Sequence, residues 1–354
     1  MMADDGLRVA VVGATGAVGE AMLEVLAQRQ FPVAKLYALA SERSLGNTVN
    51  FGRREVAVDN LADFDFSLAD VALFSAGGSV SAQYAPEAVA AGCTVIDNSS
   101  QFRREEHIPL VVPEVNGHTL NDWAAPGIIA NPNCSTIQMV VALKPLQREL
   151  GLRRVHVATY QSVSGKGRMA MEELVRQSAA RLTFKESTSE VFDKPIAFNV
   201  LPHIDVFEDN GFTREEMKML WESRRLLELP ELALTATAVR VPVLYGHAEA
   251  VHIQTERPAE LEQVMELLRA APGISLHDDQ TEYATPLTDA AGKDPVYVSR
   301  VRRDLHDDCG WCLWIVADNI RKGAALNAVQ IAEQLLPQLR RRREEDFSSL
   351  SSMM

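Results

Sequence analysis

The sequence predicts an α/β protein: an N-terminal doubly wound parallel sheet joined to a second domain on a mixed sheet. Three observations carry this. The apolar run Leu7–Val12 closes on Gly13 and is followed by a helical pattern over Ala17–Gln28. Short apolar runs at 35–40, 71–74, 94–96 and 127–130 then alternate with helical stretches, including 82–91 with Pro86 near its start; such alternation builds a parallel sheet. From Val155 the texture changes. Strand-like segments at 155–161, 235–241, 249–254, 296–301 and 311–316 have fewer helices between them, which suits a mixed or antiparallel sheet.

Length and composition set bounds on function. A chain of 354 residues holds two domains of ordinary size, and 47% hydrophobic with 23% charged residues describes a globular protein. The net charge of -13 repels phosphate backbones, so nucleic acid is not an expected partner. No apolar run reaches membrane-spanning length. Met1–Asp5 is acidic and leads straight into a strand, so no signal peptide is expected. Four cysteines are too few for a disulfide framework, and a reducing cytoplasm is the expected compartment. Residues 323–339 predict a last long helix. Beyond it come Arg340–Arg343, then Glu344, Glu345 and Asp346, a solvated and disordered tail by composition.

The segment Asn131-Pro132-Asn133-Cys134-Ser135-Thr136 is the most informative in the chain. A turn precedes the cysteine and an apolar-periodic run, 137–150, follows it. Cys134 is thereby placed near a helix N-terminus, with Asn133 or Ser135 available as cap. Unpaired N–H groups and the helix dipole favour a thiolate there.

Gly13, Thr15, Gly16, Ala17, Val18 and Gly19 form a glycine loop between the first strand and the first helix. Glycines allow a tight turn and bring backbone N–H groups close to a pyrophosphate at the helix N-terminus, a Rossmann-like arrangement. The second strand closes not on a lone acid, as an NAD site would, but on Ser41-Glu42-Arg43-Ser44. An arginine fork between hydroxyls suits a 2′-phosphate, which favours NADP.

Later segments offer a base and clamps. Arg240 and His247 stand at opposite ends of one strand-and-turn unit; histidine exchanges protons near neutral pH and arginine can hold a carboxylate bidentately. Glu215 and Lys218 are three residues apart at a helix start, hence on one face. Arg103 follows a predicted strand end, where ligands collect in such sheets. Cys309 and Cys312, with His306 upstream, have metal-like spacing but no second pair. No metal is expected, and the two read as core or strand-edge cysteines.

Taken in order, residues 11–19, 41–44, 74–78, 97–100, 111–116, 131–136, 161–165, 215–218, 240–247 and 317–323 resemble the aspartate-β-semialdehyde dehydrogenase family, over a stretch from Arg8 to about Leu336. The resemblance implies NADPH-dependent reduction of L-4-aspartyl phosphate to aspartate semialdehyde and phosphate. This is the branch-point step towards lysine, diaminopimelate, threonine, methionine and isoleucine. It implies that Cys134 forms the thioester, His247 is the acid/base partner and Gln161 orients the acyl group. Arg240 would hold the α-carboxylate and Glu215 the α-amino group. Arg103, Lys218 and Asn133 would form the phosphate site. Gly13, Thr15–Val18, Arg43, Ser44, Ser164, Gly165 and Asn319 would line NADP. A homodimer follows from the same resemblance. The expected division is an NADP-binding domain over 1–133, a catalytic and dimerisation domain over 134–318, a returning helix over 319–340 and a disordered tail over 341–354. Two alternatives stand beside this reading: an N-acetyl-glutamyl-phosphate reductase, whose cysteine sits in a different local setting, and a non-catalytic relative of the same fold.

Overall fold

In the computed structural model, residues 6–279 and 281–352 are described, with side chains through residue 345. Met1–Asp5 and the last two residues, on which the leader and tail expectations partly rest, lie outside the described residues. The chain forms two compact units, 1–132 with 324–354, and 133–323.

The first unit opens with β1 (Leu7–Val12), α1 (Ala17–Gln28), β2 (Val33–Ala40), β3 (Thr48–Phe51), β4 (Arg54–Asn60) and β5 (Val71–Phe74). It continues with α2 (Gly78–Ala90), β6 (Thr94–Asp97), the single turn α3 (Pro113–Asn116) and β7 (Ile128–Ala130). Its sheet runs β3-β4-β2-β1-β5-β6-β7 and is parallel except for the β3–β4 hairpin. The central strands are apolar on both faces, as a sheet covered on both sides requires: β5 is buried at every residue. Strand order reverses at β1, between β2 and β5, and ligands bind at the carboxyl ends of strands at such a switch point. The β3–β4 hairpin was not expected from sequence. Its strands are short and polar, with Glu55 and Ala57 exposed.

The second unit holds α4 (Cys134–Leu150), β8 (Arg154–Gln161), α5 (Arg168–Leu182), α6 (Arg214–Leu226), β9 (Ala233–Arg240) and β10 (His247–Gln254). It ends with α7 (Leu261–Ala270), β11 (Ile274–Leu276), β12 (Val296–Arg303) and β13 (Gly310–Ala317). Its sheet is mixed, in the order β11-β12-β13-β10-β8-β9, with β8–β9 and β11–β12 parallel and the other pairs antiparallel. Helix α4 packs on β10, β12 and β13. Eleven of its residues are buried, among them Ile137, Met139, Val140 and Leu143. Helix α6 starts with a capping box, Thr213 and Glu216 each bonding the other's backbone N–H.

The chain then returns to the first unit as α8 (Leu326–Ser352), which packs on α1, β5 and β6. Two differences from the expected division follow. Asn319–Gly323 belongs to the second unit, and the backbone stays helical to Ser352, where a disordered tail from 341 was expected. The reason is composition: Arg340–Arg343 followed by Glu344 and Glu345 are good helix formers with favourable i,i+4 opposite charges. No helix among the described residues is long and apolar enough to cross a membrane.

Candidate active site

In the first unit, the loop after β1 depends on its glycines. Gly13 has φ of +83°, and a Cβ there would lie 3.0 Å from the Ala76 backbone nitrogen. A Cβ on Gly19 would collide with the Gly13 carbonyl oxygen. Gly16 is the N-cap of α1 and has no side chain with which to cap it, so first-turn N–H groups remain for a ligand. Thr15 Oγ1 lies 3.4 Å from Ser44 Oγ, tying this loop to the turn Glu42–Ser44 that follows β2. Arg43 projects from that turn, exposed. Ala17 and Val18 open α1. A close-packed backbone cradle at the switch point, flanked by an arginine, fits a dinucleotide. Arg103 is half-buried elsewhere in this unit, its guanidinium donating to the Asn98 carbonyl at 2.9 Å.

In the second unit, Cys134 is the first residue of α4. Asn133, not Ser135, is the cap: its Oδ1 accepts from the N–H groups of Ser135 at 3.0 Å and Thr136 at 3.2 Å. Its Nδ2 donates to Glu215 Oε1 at 2.8 Å, and its backbone N–H to Glu222 Oε2 at 2.6 Å. Gln161 Nε2 also reaches Glu215 Oε1, at 3.3 Å. Lys218 bridges Glu215 at 3.3 Å and Asp205 at 2.7 Å. Burial works against the charge on Glu215, yet Lys218, Asn133, Arg240 and Gln161 together hold its carboxyl below the usual range.

Gln161 and Arg240 are register partners at the ends of parallel β8 and β9. Arg240 is buried and donates to the Ser162 carbonyl at 2.8 Å. Burial lowers its proton affinity, while Glu215 and Cys134 act to raise it. A thiolate at Cys134 is therefore attracted both by the α4 N-terminus and by this guanidinium.

His247 opens β10 and is fully buried. Burial first, then Arg240, push its imidazole well below the ordinary value, so the ring is neutral. The Ser162 N–H donates to Nδ1 at 3.1 Å, and Nε2 has no partner. A Cβ placed on Gly165 would lie 3.1 Å from Arg240 Nη1 and 3.4 Å from His247 Nε2. Guanidinium and imidazole thus converge on one point beside a glycine. Gly323 lies as close to Cys134, where a Cβ would come within 2.8 Å of Cys134 Cβ. Asn319 is buried; its Oδ1 accepts from Ser162 Oγ at 3.0 Å, Ser164 Oγ at 3.2 Å and the Gly246 N–H at 2.9 Å.

The second unit therefore gathers Asn133, Cys134, Gln161, Ser164, Gly165, Glu215, Lys218, Arg240, His247 and Asn319, and the first holds Gly13–Val18, Arg43, Ser44 and Arg103. Sequence reasoning missed Ser162, Asp205, Glu222 and Gly323. Glu222 lies two turns from Glu215 along α6 and was legible by helical period. Asp205 stands in an irregular segment with no pattern to mark it. Cys312 is on β13, its Sγ 3.6 Å from His252 Nδ1, and no cluster of three or more candidate ligands for a metal occurs among the described residues.

Comparison with known proteins extends the geometry. Residues 8–123 match the family model for the semialdehyde dehydrogenase NAD binding domain, and 143–322 that for the semialdehyde dehydrogenase dimerisation domain. The aspartate-semialdehyde dehydrogenase of Legionella pneumophila is 56% identical over 93% of this chain and 95% of its own. A crystal structure of aspartate semialdehyde dehydrogenase II from Vibrio cholerae, complexed with ASA, superposes with a TM-score of 0.92 at 52% identity, covering 94% of this chain and 98% of that one. The Candida albicans enzyme, crystallised with NADP, gives 0.73 at 26% identity, over 95% and 99%. With relatives this similar over nearly its whole length, the chain belongs to the aspartate-semialdehyde dehydrogenase family.

Proposed function

We propose that this oxidoreductase reduces L-4-aspartyl phosphate to L-aspartate 4-semialdehyde and phosphate, with NADPH as the nicotinamide cofactor, in the biosynthesis of the aspartate-derived amino acids. The observation that carries it is the cluster at the start of α4: a cysteine at a helix N-terminus whose Asn133 cap bonds a buried carboxylate, with a buried arginine acting by charge on both. The relatives' printed names supply the substrate class.

The chemistry follows from the chain's own groups. Arg240 holds the α-carboxylate and Glu215 the α-ammonium, a charge pair that reads a free amino acid. Cys134 attacks the acyl carbon, the C–O bond to phosphate breaks, and a thioester forms on Cys134. Gln161 orients the acyl group. Neutral His247, its proton on Nε2, donates to the acyl oxygen as charge develops there. Arg103, Lys218 and Asn133 are assigned to the departing phosphate. Bound NADPH would supply the hydride that releases the aldehyde from the thioester. Arg43 and Ser44 would hold the 2′-phosphate, with Gly13 and Thr15–Val18 at the pyrophosphate; Ser164, Gly165 and Asn319 are assigned to the cofactor by resemblance. The dimerisation-domain match supports oligomerisation, and we assign a homodimer.

Phosphate-dependent NADP reduction by aspartate semialdehyde, run beside N-acetyl-glutamate semialdehyde, tests the proposal. Turnover of the first alone is expected, and turnover of the second alone would overturn it. Analytical ultracentrifugation tests the dimer.

A further inference from the structure

Glu249 has no part in the chemistry above, and its surroundings are unusual. It lies on β10 two residues from His247, fully buried, and neither carboxyl oxygen has a hydrogen-bond donor. Next to it, Gln138 of α4 is also fully buried. Its Nε2 donates to the His247 carbonyl at 3.5 Å, and its Oε1 is without a donor. Three buried acceptors, two on Glu249 and one on the neighbouring Gln138, are therefore left without a hydrogen-bond donor. Leaving such groups unpaired is destabilising, and an unpaired buried carboxylate is far more so.

One proton resolves the conflict. A neutral carboxyl at Glu249 gains an O–H donor, and Gln138 Oε1 is the acceptor beside it. Burial also pushes the carboxyl well above its ordinary range. The Gln138 amide, which favours the anion, opposes this and is outweighed by burial. Thr159 and Ile315 flank Glu249 in the sheet. On the packed elements, His247, Cys134 and, at the end of β9, Arg240 are the titratable groups near this face. His156 and Tyr160 of β8, His252 of β10 and Cys312 of β13 alternate to the other face, and Lys144 leaves α4 on another side from Gln138.

We propose that Glu249 is a positioning residue for the nucleophile and the imidazole. As a neutral acid it donates to Gln138 Oε1; the Gln138 amide donates to the His247 carbonyl; and the helix carrying Cys134 is thereby held against the strand carrying His247. Gln138 sits four residues after Cys134, one helical turn.

The test has two arms. The activity arm rests on the function proposed above, and the stability arm needs no substrate. Glu249→Gln keeps a donor for Gln138 and should retain kcat within about threefold, whereas Glu249→Leu should lower kcat about tenfold or more with KM little changed. Failure of Glu249→Gln to rescue would overturn the neutral-acid role. In the second arm, urea unfolding of wild type and Glu249→Gln is compared from pH 5 to 8. A carboxyl protonated only when folded makes wild type lose stability relative to the variant as pH rises above about 4.5, by up to about tenfold in the unfolding constant per pH unit. Titration of His247 is common to both proteins and cancels in the difference. Parallel pH profiles would overturn the proposal even if Glu249→Leu does not fold. If aspartate semialdehyde is not turned over by wild type, the proposed function falls while the second arm still decides the state of Glu249.

Discussion

The backbone N–H of Ser162 points at Nδ1 of His247 over 3.1 Å, so the neutral ring can carry its proton only on Nε2. A main-chain donor cannot reverse its role as a hydroxyl can. The tautomer is therefore set by the fold, through the tight turn that follows β8.

The first prediction concerns pH. His247 is pushed well below 6.5 when folded, whereas the unfolded chain binds a proton near 6.5. Between the two values the unfolded state holds more protons, so stability is present above about pH 6.5 and declines as pH falls below it, by up to about 1.4 kcal/mol per pH unit. His247→Asn should flatten this decline. Urea midpoints at pH 7 and 5.5 measure it, and the same decline in both proteins would refute a neutral buried imidazole.

Cys134→Ser should fold normally and lose activity on the order of a thousandfold or more, because a neutral hydroxyl is a far poorer nucleophile than a thiolate. Bound substrate should slow alkylation of the wild-type thiol, as followed by intact mass. Near wild-type turnover of the serine variant would exclude a thioester.

Arg43→Ala should cut kcat/KM for NADPH by about ten- to a hundredfold, the loss of one charge-assisted contact, and that for NADH little. Steady-state kinetics with the two cofactors separate the cases. Equal losses would mean that the turn after β2 does not read the 2′-phosphate.

Substrate choice is the fourth. An N-acetylated substrate presents a neutral amide to Glu215 and should lose about 1.5–3 kcal/mol, or ten- to a hundredfold in kcat/KM. Arg240→Lys should also be severe, since an ammonium cannot reproduce two parallel guanidinium bonds. Comparable kcat/KM for aspartate semialdehyde and N-acetyl-glutamate semialdehyde would remove the substrate assignment and leave the cysteine chemistry standing.

Elements with strong periodicity were legible in the chain. The runs beneath β1, β5 and β6 show apolar continuity because those strands are buried on both faces. The β3–β4 hairpin was hidden because its outer residues are polar, with only Gly52, at φ of +59°, marking the turn. Helix α2 begins at Gly78, a turn before the apolar pattern does, since glycine and serine give no periodic signal. At the site, residues whose side chains carry reactivity or charge stood out by type and local motif. Ser162 did not, because what it contributes is a backbone N–H, and every non-proline residue has one. Asp205 meets Lys218 across thirteen residues of irregular chain, a contact no local pattern encodes.

Position 133 answers to two demands at once. Serine, aspartate and asparagine serve about equally well as helix N-caps. Here the same side chain must also donate to Glu215 from its far side. A serine is too short to do both, and an aspartate would set a second carboxylate against the first. An amide of this length has both an acceptor for the helix and a donor for the buried Glu215 carboxylate. Variants at 133 will consequently show inseparable losses in folding and affinity, and a capping scale derived from isolated helices will misrank them.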